Sequence, residues 1–196
     1  MKHNGFEYVD LGLPSGTKWA KYNVGAYSET DNGLYFPFGG TVGLDSPYYE
    51  GNFDSHKLKF NGDKKATLHL DNDAAHIHMG GKWHMPTKEQ FEELLDEKNT
   101  VSTWIYDYCI REVSGRLFRS RINDEILFIP ANGFISNHQY VQNGQTCSLW
   151  TSSIDFSSVY NCTDFFCDKY NTYLARTSAY YVCIGIRGVF NTFWIK

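Results

Sequence analysis

A basic excess is missing from this chain of 196 residues: 18 lysines and arginines face 22 aspartates and glutamates, a formal net charge of −4. That balance excludes a generally basic nucleic-acid-binding domain and leaves little attraction to an anionic lipid surface. Long apolar stretches are also absent. No run of eighteen apolar residues occurs, so no membrane insertion is expected. Proline is scarce, at 5, and 17 glycines follow no repeat, which excludes collagen-like, linker and disordered compositions. The five cysteines (Cys109, Cys147, Cys162, Cys167 and Cys183) contain no Cys-x-x-Cys and no metal-ligand spacing. Free thiols are the expectation, with one bridge such as Cys162 to Cys167 as the alternative. The first eight residues lack the apolar segment of a signal peptide, which is read as no export by that route or as a trimmed domain. What is abundant is aromatic: 14 Tyr, 14 Phe and 5 Trp exceed what an ordinary core needs.

Helical signal is confined to the middle. Thr87 and Gln90 are spaced as a capping box, and Phe91, Leu94 and Leu95 then share one face. The acids Glu89, Glu92, Glu93, Asp96 and Glu97 make the opposite, solvated face. Just before, 71–81 reads as a short helix with acid at its start and a glycine stop. Elsewhere short strands are expected: Glu7–Leu11, an aromatic strand over Gly33–Gly39, the continuously apolar Ile126–Pro130, and Cys183–Val189. Residues 41–65 read as a long surface excursion. With no repeat and no linker, residues 1–196 are expected to form one α+β domain.

Several segments resemble one family. Tyr8-Val9-Asp10-Leu11-Gly12-Leu13-Pro14-Ser15-Gly16-Thr17-Lys18-Trp19-Ala20 and Asn23-Val24-Gly25-Ala26 are similar to the opening of the Fibrobacter succinogenes major paralogous domain, abundant in gut Bacteroidetes. Asp73-Ala74-Ala75 with Gly80-Gly81-Lys82-Trp83-His84-Met85-Pro86-Thr87 resembles its central signature. So do 128–134, 149–153 and 186–189 in order along the chain, with Gly188 standing where that family usually has proline. The resemblance implies a C-type-lectin-like fold: small antiparallel sheets, two helices, long loops, a loop-rich second half, and both termini pairing in one sheet. It implies ligand binding, not catalysis. The Glu-Pro-Asn, Gln-Pro-Asp and Trp-Asn-Asp motifs of calcium-dependent sugar lectins are not in the sequence, so calcium-mediated sugar chelation is not expected.

The same fold carries the variable proteins of diversity-generating retroelements, in which mutated adenines turn AAY codons into NNY codons. Such codons cannot encode Glu, Gln, Trp, Met or Lys. The thirty residues from Ile154 to Cys183 hold only one of those types, Lys169, against 32 in the other 166 residues. The window is instead filled with aromatic, Ser, Thr, Asn and Asp residues, the composition of an adaptable contact surface. Its expected ligand-binding residues are Asp155, Phe156, Ser158, Tyr160, Asn161, Thr163, Phe165, Phe166, Tyr170, Asn171, Tyr173, Thr177, Tyr180 and Tyr181.

Other chemistry is weakly signalled. His69, His76, His78 and His84 with Asp71 and Asp73 bring six candidate metal ligands together, but on a helix His76 and His78 point about 200° apart. No Gly-x-Ser-x-Gly occurs, and Cys109 and Cys147 have no motif context. Lys57, Lys59, Lys64 and Lys65 are too small a patch for nucleic acid. Trp19, Trp83, Trp104 and Trp150 are expected in the core. No enzyme activity, cofactor or metal is expected. The function expected is non-enzymatic recognition of a protein or glycan on a host or neighbouring cell, carried on a phage virion or a bacterial surface. A structural module of a cell-surface complex and a histidine-cluster metal protein are the alternatives.

Overall fold

The computed structural model describes residues 1–48, 67–154, 161–178 and 182–192. Its two helices begin at the capping side chains. Asp73, not Asp71, caps α1 (Ala74–Met79), accepting from the His76 N–H at 2.9 Å; Asp71 lies in a preceding 3-10 turn, Leu70–Asn72. The other Asp73 oxygen takes the Met85 N–H at 2.7 Å, so one buried carboxylate ties the helix start to the segment after it. Thr87 and Gln90 close the expected capping box on α2 (Lys88–Leu95), whose Phe91 and Leu94 are fully buried. The acidic face is solvated except at Glu93. That carboxylate accepts from both the backbone N–H and the hydroxyl of Ser15, at 2.7 and 2.6 Å, and pins the Pro14–Ser15 turn.

Around these helices lie three sheets. The two ends of the described chain share one antiparallel sheet, ordered β1 (Lys2–His3), β2 (Phe6–Val9), β3 (Thr17–Asn23) and β14 (Arg187–Asn191). A second is the meander β5 (Thr100–Tyr108), β6 (Val113–Ser120) and β7 (Ile126–Pro130). The third has seven strands: β12 (Thr172–Ser178), β11 (Asn161–Cys167), β10 (Cys147–Ile154), β13 (Val182–Gly185), β8 (Phe134–Ser136) and β9 (Gln139–Val141), with β4 (Tyr35–Phe36) also on β13. Among the described residues the molecule is thus mostly sheet with two short α-helices.

Several expectations are corrected. The aromatic strand over Gly33–Gly39 shrinks to Tyr35–Phe36, because Pro37 has no N–H to extend the ladder. The segment Cys183–Val189 divides at Ile186 between two sheets, and the Ile186 carbonyl is taken by the Val24 N–H at 2.8 Å. From Thr100 onward most of the described residues lie in strands, so this part is less loop-rich than expected. The turn Asn137–His138, with φ of 49° and 58°, has the double left-handed conformation that matches strand twist in a two-residue hairpin. The excursion at 41–65 lies outside the described residues beyond Tyr48.

A Cys162–Cys167 bridge is sterically excluded. Both residues lie on the extended strand β11, about 16 Å apart at the usual rise, whereas a disulfide needs Cα atoms within about 7 Å. All five cysteines are free thiols. Cys147 and Cys167 face one another across β10 and β11, fully buried, and burial pushes the Cys147 thiol pKa up.

One core packs Trp19, Phe91, Leu94, Phe118, Ile129, Leu149 and Phe165 between α2 and the sheets; a second packs Phe36, Phe38, Met79, Trp83, Trp150 and Ile184 around α1. Trp104 only leans on the first, partly exposed and with the Arg116 guanidinium 5.7 Å from its ring centre. Arg187 joins two sheets. Fully buried, it donates to Asn23 Oδ1 (2.8 Å) and the carbonyls of Ala20 (3.1 Å) and Lys21 (2.6 Å) on β3, and of Phe128 (3.1 Å) on β7. Burial pulls its pKa down, to about 9, so it stays charged at neutral pH. Beside it, a Cβ on Gly188 would meet Met79 Sδ at 2.7 Å, which explains the small residue at this irregular point of β14.

Candidate functional site

Strand alternation decides where the aromatic residues of the C-terminal window go. On β11, Phe165 points into the first core, stacked on Phe91 with ring centres 4.9 Å apart and planes 7° apart. Its neighbour Phe166 therefore points to the other face. There it meets its cross-strand partner Tyr173 of β12, ring centres 5.2 Å apart. The same face of β11 is buried at Asp164 and at Cys162, which packs in the second core, and is more open at Phe166 beside the hairpin tip.

The tip is fixed by Asp168. Its Oδ1 accepts the N–H groups of Tyr170 and Asn171, each at 2.7 Å, and its own N–H goes to the Asn171 carbonyl at 3.0 Å. Burial would raise the Asp168 pKa, but those two N–H groups outweigh it and hold the carboxyl below the usual range. Arg116, from β6, braces the turn from below by donating to the Asp168 carbonyl at 2.5 Å. Tyr170 is consequently displayed at 78% exposure and Tyr173 at 48%, with the Lys169 ammonium 4.5 Å from the Tyr170 ring centre.

Beside this tip runs a groove of about 420 Å³. One wall is the hairpin tip, with Phe166, Asp168, Lys169 and Tyr170; the other is Trp104 and Tyr106 of β5 with Ser114 of β6. Gln142, Gly144, Gln145 and Thr146, from the turn between β9 and β10, close its end. Trp104 and Tyr106 both line the groove, where the pairing of β5 with β6 turns irregular between Ile105 and Tyr108; Tyr106 is 66% exposed.

Of the expected contact residues, Phe166, Tyr170, Asn171 and Tyr173 gather at this tip. Phe165 is corrected: it is core, with no surface to offer a ligand. Thr163 is half-buried in mid-strand. Asn161 and Thr177 lie at the opposite end of the hairpin, near the register pair Cys162–Thr177. Asp155, Phe156, Ser158, Tyr160, Tyr180 and Tyr181 lie outside the described residues. The groove's second wall was missed. Trp104 is expected in the core, and the signal for this wall is Tyr106, a second aromatic two residues along the same strand.

The histidine cluster does not converge. His76 Nδ1 pairs with the Trp83 carbonyl (3.1 Å), His78 Nε2 with the Thr41 carbonyl (2.9 Å) and His84 Nδ1 with the Met85 carbonyl (2.9 Å), while His69 Nδ1 lies 3.1 Å from Asp71. Among the described residues no three His, Cys, Asp or Glu side chains are grouped to hold a metal ion, and no helix is long and apolar enough to cross a membrane. Compared with family models, curated protein sequences and solved structures, the chain finds no match.

Proposed function

We propose that this chain is a non-enzymatic recognition domain with a C-type-lectin-like fold, akin to the Fibrobacter succinogenes major paralogous domains, whose C-terminal hairpin contacts a protein or glycan on another cell. The observation that carries this reading is the hairpin itself. Its inner face is locked into the core through Phe165, while its tip displays Phe166, Tyr170 and Tyr173 on a braced turn. Rings held this way offer contact area without further loss of rotamer freedom on binding. The fold assignment is supported by the shared terminal sheet and the two short helices between β4 and β5. The near absence of five residue types between Ile154 and Cys183 supports retroelement diversification of this surface. A phage virion or a bacterial surface is the setting such a surface serves.

The test is binding of fluorescently labelled protein to a panel of intact bacterial cells. Wild type is expected to label at least one strain, and the double variant Tyr170→Ala, Tyr173→Ala to lose labelling while keeping its thermal midpoint. Equal labelling by the folded double variant would overturn the reading. An adenine-rich near-copy of codons 154–183 beside a reverse transcriptase gene is the expected genomic signature of diversification; codons ending in A or G at most of the Ser, Thr, Ala, Val and Leu positions of that window would refute it.

A further inference from the structure

The groove beside the hairpin tip has a chemistry more specific than a generic contact face. Its volume of about 420 Å³ falls within the range of about 300–1,000 Å³ typical of small-molecule sites, and it is concave where a large protein partner favours a broad patch. Trp104, Tyr106, Phe166 and Tyr170 supply aromatic surface on both walls. Between them stand groups that bond hydroxyls. Gln142 Oε1 accepts from Thr146 Oγ1 at 3.4 Å, leaving its amide N–H donors available, and the Gln145 side-chain amide has no partner among the described residues. Of the charged groups, Asp168 has its Oδ1 taken by its own turn, and the Lys169 ammonium sits over Tyr170.

Aromatic faces with amides at their edges match one ligand class closely. A pyranose ring has an apolar C–H face that packs on an aromatic ring, and equatorial hydroxyls that both donate and accept in the ring plane. An amide side chain, with two donors and an acceptor, pairs with such hydroxyls in either sense. We propose that this groove binds a short oligosaccharide, one sugar ring stacked on Tyr106 or Tyr170 and its hydroxyls held by Gln142 and Gln145. This deepens the recognition reading above and rests on it. It adds a division of labour: Trp104, Tyr106, Gln142 and Gln145 lie outside the 154–183 window and form a constant wall, and the hairpin tip forms the wall that can vary.

The experiment is an array of immobilised neutral and uronate-bearing oligosaccharides, followed by calorimetric titration of the strongest binder. Wild type is expected to bind at least one oligosaccharide. Tyr106→Ala and Gln145→Ala are each expected to weaken it about tenfold at an unchanged thermal midpoint. Tyr27→Ala, at a still more exposed tyrosine outside the groove, is expected to bind as wild type. The proposal is overturned if no oligosaccharide binds, or if the bound one is indifferent to both groove variants. Cell labelling that needs Tyr170 and Tyr173 but survives both Tyr106→Ala and glycosidase treatment of the cells would point to a protein ligand. That outcome would overturn this inference and leave the recognition reading intact.

Discussion

Phe165 and Phe166 are adjacent in the chain and opposite in circumstance. The first is sealed between α2 and the sheet, stacked on Phe91; the second stands at the mouth of a groove against Tyr173. The same contrast runs through the molecule at larger scale. Trp19, Trp83 and Trp150 are fully buried, whereas Tyr106, Tyr170 and Tyr173 are displayed. An aromatic excess is therefore two populations, one holding the scaffold and one carried by it. Because successive side chains on a strand point to opposite faces, a single hairpin can belong to both.

That division is open to direct attack. Phe165→Ala should cost about 3–5 kcal/mol, since the cavity lies under α2 and cannot collapse easily, whereas Phe166→Ala should cost about 1 kcal/mol for a half-exposed ring. Urea denaturation of both variants measures the ratio, and equal losses would dissolve the distinction. Arg187→Met sharpens the point from the polar side. It leaves the Ala20, Lys21 and Phe128 carbonyls and Asn23 without their donor in a dry interior and should cost about 3 kcal/mol. A near-neutral result would mean that the two sheets do not depend on this clamp.

The smallest effect concerns two carboxylates, one on the scaffold and one at the tip. Burial raises Asp10, but the Lys18 ammonium at 2.6 Å and the Gly12 N–H outweigh it, so its pKa falls below 3.8. Asp168 is lowered by its own turn. A depressed folded-state pKa gives stability that is present above the unfolded value of 3.8 and lost as pH falls through the lower folded one. Asp10→Asn should thus be less stable than wild type at pH 6, by no more than about 1 kcal/mol, and the gap should shrink as the pH falls below 3.8. Following the Tyr170 and Asn171 amide resonances over the same range should show the tip loosening as Asp168 protonates. A pH-independent Asp10→Asn difference would remove the Lys18 pair from the account.

Much of the scaffold was legible because its signals are local. The Thr87–Gln90 box, the Phe91 and Leu94 face and the buried run Ile126–Pro130 need only neighbours along the chain, and each formed as read. The errors arose where a distant partner decided the outcome. The α1 cap Asp73 is also tied to the Met85 N–H, and Glu93 on the acidic face is tied to Ser15, partners that no local pattern names. Trp104 sits between core and groove because β5 passes beside the hairpin tip.

The sequence by itself determined that the chain is unusually aromatic, where α2 starts, and that its C-terminal window has an unusual composition. Only the tertiary structure decided which of those aromatics face outward and what stands opposite them. Composition is additive and can be read residue by residue. A groove exists only between segments, here β5, the turn at 142–146 and the tip of β11 and β12, which long-range strand pairing and packing bring together.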